Sequence, residues 1–224
     1  MSTTESRARQ LRMAARALAR AGLVHAYGHC SARIDERSFI VTPPKPLGLV
    51  GAADTPVTVP MHGPLPRDAL PEVLAHQCIY RCRPDVQAIA RFQSPAITTL
   101  STLGRTPRAR HGFGAYFAPA PPLHVNPRLV RDVPSAEALA ATLAGARAIV
   151  MRGNGAIAVG ASLEEALVMA WYLEDAARVE LAVLATQLDG LELTETEARE
   201  RAVTSGRIIE RMWDYLTSGD PEGP

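Results

Sequence analysis

The stretch Arg83–Ser101, RPDVQAIARFQSPAITTLS, decides the fold. Its apolar run Val86–Ala90 predicts a buried strand, and the Ser-Pro pair after Gln93 predicts the stop at which the next helix starts. Arg91 and Gln93 therefore fall at the carboxyl end of a strand, directly before a helix. Ligands bind at this place in open α/β sheets. The simpler alternative is that both side chains are solvated residues at a strand end.

Length and composition indicate an ordinary soluble protein. A chain of 224 residues can bury a full core, and we expect one domain over residues 1–218 with a disordered tail over residues 219–224. The net charge of +1 lacks the basic excess of a surface for nucleic acid or anionic membrane, so neither partner is expected. No signal-peptide pattern or apolar run of membrane length is visible, which favours a cytoplasmic location.

Helices and strands alternate along the rest of the chain. Helical spacing predicts a first helix, Glu5–Ala21, which ends at Gly22, and a second helix, Glu72–Arg83. His29 is expected to lie in a glycine-led turn after the first helix. Apolar patterning predicts further strands at Ser38–Thr42, Thr55–Met61, Ala148–Met151 and Ala156–Val159, a short helix at Ala136–Ala144, a long helix from Ser162 to about Leu188, and a final helix within Thr194–Thr217.

Four ordered blocks of sequence carry a resemblance to a known family. They are Ala21-Gly22-Leu23-Val24 with Gly28-x-x-Ser31-x-Arg33, then Ile79–Val86, then Ser94-Pro95, and finally Arg152-Gly153-x-Gly155 with the segment as far as Glu174. Over about Leu11 to Ala185 the chain resembles the class II aldolase/adducin family. The resemblance implies an α/β fold in three layers, α-β-α, with a central, mainly antiparallel sheet flanked by helices. It also implies a homotetramer that binds a small-molecule substrate at its subunit interfaces.

The chain departs from this resemblance at the metal site. The family's aldolases bind a divalent metal, usually zinc, through a His-x-His pair at a strand end and a third histidine in a later turn. Two residues apart on a strand, such a pair presents both rings on one face. Here the three positions hold Arg91, Gln93 and Asn154, a permanent cation and two weak ligands. We predict that the family's zinc is lost, with no metal at this site and no other cofactor.

The phosphate site implied by the resemblance is altered as well. The family's sugar-phosphate aldolases use a Gly-Asn-x-Ser turn, a Ser-Gly loop and a Ser-Ser pair, where this chain has Gly28-His29-Cys30-Ser31, Pro44-Lys45 and Leu70-Pro71. Most of the hydroxyl and amide donors are replaced, so a phosphosugar is not expected. The candidate substrate-binding residues are Gly28, Ser31, Arg33, Lys45, Gln93, Asn154 and Tyr116, of which Tyr116 would reach a neighbouring subunit's pocket.

Three residues are candidates for catalysis. Glu72 matches the family's acid/base glutamate, although the helix dipole also favours a carboxylate at a helix N-terminus. His29 could act as a general acid or base at the pocket mouth, or bond the backbone of its own turn. Arg91 would replace the metal's charge by holding a carboxylate or an enolate oxygen. His76, by contrast, is expected to pack in the core.

These residues support functions of two different classes. The first is a metal-independent, lyase-type enzyme that performs carbon–carbon lysis, decarboxylation, dehydration or isomerisation of a small, oxygen-rich carboxylic acid or carbonyl compound. The second is a non-catalytic binding or scaffold protein, as in the adducin branch. A closed salt bridge between Glu72 and Arg91 would favour the scaffold, and an open cleft that contains both, with a bound anion, would favour the enzyme. A further alternative is a metal-dependent aldolase with relocated ligands, such as His29, His111 and His124.

Overall fold

A computed structural model describes residues 3–223 as a layered α/β structure. The strands are β1 His29–Arg33, β2 Ser38–Val41, β3 Val57–Pro60, β4 Ala88–Phe92, β5 Leu123–His124, β6 Ala148–Met151 and β7 Ala156–Gly160. The α-helices are α1 Thr3–Arg20, α2 Leu74–Cys82, α3 Pro95–Thr102, α4 Val133–Leu143, α5 Leu163–Ala185, α6 Glu195–Arg201 and α7 Ile208–Thr217. Short 3-10 turns occupy Leu47–Leu49, Pro71–Val73 and Gly114–Phe117.

The strands form one sheet with β4 at its centre. Their order is β3-β2-β1-β4-β7-β6-β5, and every neighbouring pair is antiparallel except β5 and β6. Side chains alternate between the two faces of a strand. On β4, Ala88, Ala90 and Phe92 pack with one core cluster and Ile89 packs with the other. Arg91 therefore shares the face of Ile89.

Helices cover both faces of the sheet. Side chains of α1, α3, α5 and α7 pack on the face of Phe92, and those of α2 and α4 pack on the face of Ile89. The predicted α-β-α layering with a mainly antiparallel sheet is confirmed. No helix within residues 3–223 combines the length and the apolar character that a membrane span needs.

Two local predictions differ from the structure. His29, expected in a glycine-led turn, is instead the first residue of strand β1, which pairs antiparallel with both β2 and β4. The helix expected within Thr194–Thr217 is divided into α6 and α7. A capping box at Thr194 starts α6, and the positive φ of Arg207 interrupts the helical backbone directly before α7.

The C-terminal segment is held on the first helix. Arg16 donates to both carboxylate oxygens of Asp220, at 2.8 and 2.6 Å, and Arg12 pairs with Glu222 at 2.7 Å. The side chain of Asp220 is fully buried. The described part of the predicted tail, residues 219–223, therefore carries ion pairs to α1, whereas Pro224 lies outside the described residues. The single-domain assignment stays a prediction.

Candidate active site

A cavity of about 590 Å³ opens where β4 ends and β1 begins. His29, the first residue of β1, lies opposite Arg91 in the antiparallel register. Directly opposed residues of antiparallel strands have neighbouring side chains, so the register alone brings these two together. The predicted residues that line the cavity are Gly28, His29, Lys45, Glu72, Arg91 and Gln93.

The three residues at the family's metal positions meet behind the cavity wall. The side-chain oxygen Oδ1 of Asn154 accepts hydrogen bonds from Nη2 of Arg91 at 2.6 Å and from Nε2 of Gln93 at 2.7 Å. Asn154 lies in the turn between β6 and β7, and β7 pairs with β4, which carries the turn to the end of β4. The sheet topology therefore assembles the cluster from two segments about 60 residues apart.

Glycine allows the backbone to pack closely on both sides of Arg91. Gly155 has a φ of +75°, and a Cβ there would collide with the carbonyl oxygen of Phe92. Gly28 has a φ of +149°, and its Cβ would lie 2.8 Å from Cγ1 of Val24 and 3.0 Å from the carbonyl oxygen of Arg91. Only glycine adopts such backbone angles at little cost. Both turns can therefore close around the end of β4.

Arg91 is a buried guanidinium without a carboxylate partner of its own. Its side chain bonds the amide and the backbone carbonyl of Asn154, and none of the ion pairs found within residues 3–223 includes it. Burial lowers the pKa of Arg91 to about 10, and the charge of Glu72 acts in the opposite direction. The group therefore stays cationic near neutral pH, with an incompletely compensated charge at the cavity floor.

Glu72 pairs with Arg131, a residue that no sequence pattern singled out. Nε of Arg131 donates to Oε1 of Glu72 at 2.8 Å, and both side chains line the cavity. Arg131 lies in the irregular segment before α4, where no motif marks it. Lys45 also lines the cavity and is paired with Asp54 at 2.8 Å. Among the described residues, three cations and one carboxylate line this cavity, a balance that favours an anion.

A row of buried hydrogen bonds runs inward from His29. Nδ1 of His29 lies 2.7 Å from Nε2 of His76, Nδ1 of His76 lies 2.6 Å from Oγ of Ser31, and that oxygen lies 2.8 Å from the hydroxyl of Tyr80. Burial lowers the pKa of His29 well below its usual value and that of His76 to about 3, and the charge of Arg91 adds to both shifts. Both rings are therefore neutral near neutral pH.

The sequence spacing of the four residues in this row could have indicated that they lie together. His29 and Ser31 are two residues apart on β1, and His76 and Tyr80 are four apart on α2, so each pair shares a face of its element. His76 is fully buried, as expected of a packing residue, and its two ring nitrogens also link the cavity wall to the interior. His29 bonds this ring rather than the backbone of a turn.

The protein-family model described as Class II Aldolase and Adducin N-terminal domain matches residues 9–181, which is most of the chain. The chain belongs to the class II aldolase and adducin family. No curated protein matches it significantly.

Solved structures share the class II aldolase fold. An aldolase II superfamily protein from Pseudomonas syringae has a TM-score of 0.80 at 20% identity, covering 96% of this chain and 92% of that one. The L-fuculose 1-phosphate aldolase from Glaciozyma antarctica has a TM-score of 0.76 at 22% identity, covering 88% and 80%. The L-fuculose-1-phosphate aldolase from Thermus thermophilus has a TM-score of 0.72 at 25% identity, covering 82% and 97%.

Three residues predicted to bind substrate in this class II aldolase family member lie elsewhere. Ser31 is buried behind His76, away from the cavity lining. Arg33 donates to the backbone carbonyls of Tyr80 and Val86, at 2.7 and 3.0 Å, where it holds the end of α2. Tyr116 packs on the opposite face of the sheet, and its hydroxyl donates to the carbonyl of Val203. Ser31 and Arg33 are therefore satisfied within the chain, away from the cavity, and the role of Tyr116 at a neighbouring subunit's pocket stays a prediction.

Proposed function

We propose that this member of the class II aldolase family is a lyase-type enzyme for a small, oxygen-rich carboxylic acid or carbonyl compound, and that it works without a metal at the family's metal position. One observation carries the proposal: the buried guanidinium of Arg91 borders an open cavity and has no ion-pair partner within residues 3–223. A buried charge is costly unless it is paired. A carboxylate or enolate from solution would supply the missing counter-charge.

The residues at the metal positions do not fit a divalent cation. Arg91 keeps its positive charge there, because a guanidinium is not deprotonated near neutral pH. Oδ1 of Asn154 already accepts hydrogen bonds from Arg91 and from Gln93. Arg91 and Gln93 line the cavity, and a guanidinium beside an amide suits an anionic oxygen and repels a metal ion.

The cavity residues divide into a binding set and a proton-transfer group. Arg91 would hold the substrate carboxylate or the enolate oxygen that forms beside it, and Lys45 and Arg131 add positive charge at the wall. One preorganised donor of this kind is worth on the order of 3 kcal/mol of activation free energy. Glu72 is the carboxylate in reach of the same cavity and would move the proton.

The position of Glu72 also weighs against a scaffold function. A salt bridge between Glu72 and Arg91 would have closed the cavity, but Glu72 pairs with Arg131 instead and the cavity stays open. Relocated metal ligands have no counterpart in the described part of the chain, where no group of three His, Cys, Asp or Glu side chains could hold a metal ion. His111, one of the relocated candidates, is bonded to Asp175 at 2.9 Å.

The expected assembly is a homotetramer with its sites at subunit interfaces. Tyr27 and Leu129 line the cavity mouth and are 73% and 45% exposed in the single chain. A neighbouring subunit would cover these apolar side chains and complete the wall. Light scattering on the purified protein measures the assembly, and a monomer would contradict it. The cytoplasmic location stays a prediction.

The decisive experiment combines a chelator with a panel of small acids. Protein treated with EDTA is incubated with hydroxy and oxo acids, and each mixture is followed by proton NMR. We expect turnover of at least one acid, unchanged by the chelator and lost in Arg91→Met. Activity that EDTA abolishes and zinc restores would contradict the proposal. So would one equivalent of zinc, manganese or iron that is lost in Asn154→Ala.

A further inference from the structure

The row from His29 to Tyr80 has a direction that its hydrogens determine. All four side chains are at most 4% exposed, and consecutive polar atoms lie 2.6–2.8 Å apart. Each neutral imidazole carries one N–H, and each hydroxyl carries one O–H. Every contact in the row needs one hydrogen, so the donors all point outward to the cavity, all point inward to Tyr80, or converge on Ser31 from both of its neighbours.

The tyrosine end of the row selects one direction. Within residues 3–223, Ser31 is the only hydrogen-bond partner found for the Tyr80 hydroxyl. If Ser31 donated to Tyr80, the tyrosine hydrogen would be buried without an acceptor, and if Ser31 accepted from both Tyr80 and His76, its own hydrogen would be buried without one; either is costly. Tyr80 therefore donates to Ser31, Ser31 donates to Nδ1 of His76, and Nε2–H of His76 donates to Nδ1 of His29.

We propose that this row fixes His29 as its Nε2–H tautomer, so that His29 offers the cavity a hydrogen-bond donor and not a base. Nδ1 of His29 faces His76, which leaves Nε2 as the ring nitrogen on the side of the cavity that His29 lines. His76, Ser31 and Tyr80 are positioning residues. They act on a ligand only through the ring of His29.

The tautomer narrows the substrate class, and this step rests on the proposed function. His29 and Arg91 are directly opposed on β1 and β4 and line the same cavity. Two adjacent donors match two adjacent acceptor oxygens, such as a carboxylate with a hydroxyl or oxo group on the next carbon. Because His29 holds its proton, Glu72 is left to accept one from the substrate. A 2-hydroxy or 2-oxo acid is therefore the expected ligand.

Nitrogen NMR of the histidine rings tests the tautomer directly in the full chain. The chain has six histidines, and the variants His29→Asn and His76→Asn assign the two relevant rings by loss of signal. We expect both rings to show the neutral Nε2–H pattern near neutral pH. An Nδ1–H pattern at His29 would overturn the proposal. No substrate is needed, so the outcome is independent of whether the protein turns over any acid.

Two single-hydroxyl deletions provide a matched pair. Ser31→Ala removes the donor to Nδ1 of His76, so we expect His29 to shift to a mixture of tautomers. Tyr80→Phe leaves Ser31 able to donate to His76, so His29 should keep its single Nε2–H form. If Ser31→Ala leaves His29 wholly in that form, the row does not set the tautomer and the proposal fails. With an acid that is turned over, Ser31→Ala should lower kcat more than it changes KM.

Discussion

Two buried arginines of this protein have opposite surroundings. Arg16 on α1 meets both oxygens of Asp220 and one oxygen of Glu222, whereas Arg91 on β4 meets only the amide and carbonyl oxygens of Asn154. The hydrogen bond to Asp220 raises the pKa of Arg16, and burial lowers the pKa of Arg91 to about 10. The first guanidinium is compensated by the chain itself. The second is compensated incompletely, and it is the one that borders a cavity.

The largest expected effect comes from breaking the compensated site. Arg16→Met leaves the fully buried carboxylate of Asp220 without its bidentate partner. Breaking a buried ion pair from one side typically costs about 3–5 kcal/mol, so we expect that loss in the free energy of unfolding, measured by urea denaturation. The matched control is Arg91→Met, which removes a charge with no carboxylate partner and should leave the stability equal or higher. Equal losses in the two variants would contradict the comparison.

The same Arg91→Met variant should bind a small acid more weakly than the unchanged protein. A hydrogen bond to a charged group contributes about 1.5–3 kcal/mol, so the dissociation constant of a bound 2-hydroxy acid should rise by roughly 10- to 100-fold. Isothermal titration calorimetry measures the change. Arg178→Met, on the exposed side of α5, is a control that removes an arginine outside the cavity lining. Unchanged affinity in Arg91→Met would remove Arg91 from the binding site.

The sequence predicted those parts of the site that lie at the ends of strands and turns with a clear local pattern. The strand end after Gln93 and the tight turn at Asn154 were predicted from the residues themselves. In the structure Arg91 and Gln93 both hydrogen-bond Asn154, so the three positions meet as the resemblance implied. Their roles with a substrate stay predictions. The row behind His29 was missed because His29 was assigned to a turn, which hid the period of two that places His29 and Ser31 on one face.

Ion pairs between segments far apart in the chain could not be predicted from the sequence. Arg12 and Arg16 lie four residues apart on α1, which indicates a shared helix face but names no partner. Their carboxylates come from Asp220 and Glu222, about 200 residues away, in a terminal segment that was expected to be disordered. Arg131 was missed for the same reason, because only the folded chain brings the loop before α4 to the cavity.

Protonation of Asp220, the partner of Arg16, should lower the stability of the protein at acid pH by an intermediate amount. Despite burial, which acts in the opposite direction, hydrogen bonds from Arg16 and Arg20 lower the pKa of Asp220 to about 2 from 3.8. A lowered pKa means that this stabilisation is complete above about pH 4 and is lost as the pH falls toward 2. The loss amounts to about 2 kcal/mol. Unfolding measured across that range should show it, and Asp220→Asn should flatten the acid limb; an unchanged slope would contradict the assignment.

The smallest expected change in stability comes from giving Arg91 the partner it lacks. Gln93→Glu places a carboxylate where the amide now shares the oxygen of Asn154 with Arg91. Because the site is only partly buried at Gln93, we expect a gain of at most about 1 kcal/mol, together with loss of acid binding to the same extent as in Arg91→Met. The amide-to-carboxylate change keeps the shape of the side chain, so what changes is the charge and the donor that Gln93 gives to Oδ1 of Asn154. A variant that gained stability and still bound the acid would show that Arg91 does not need an external anion, and the contrast with Arg16 would no longer indicate a binding site.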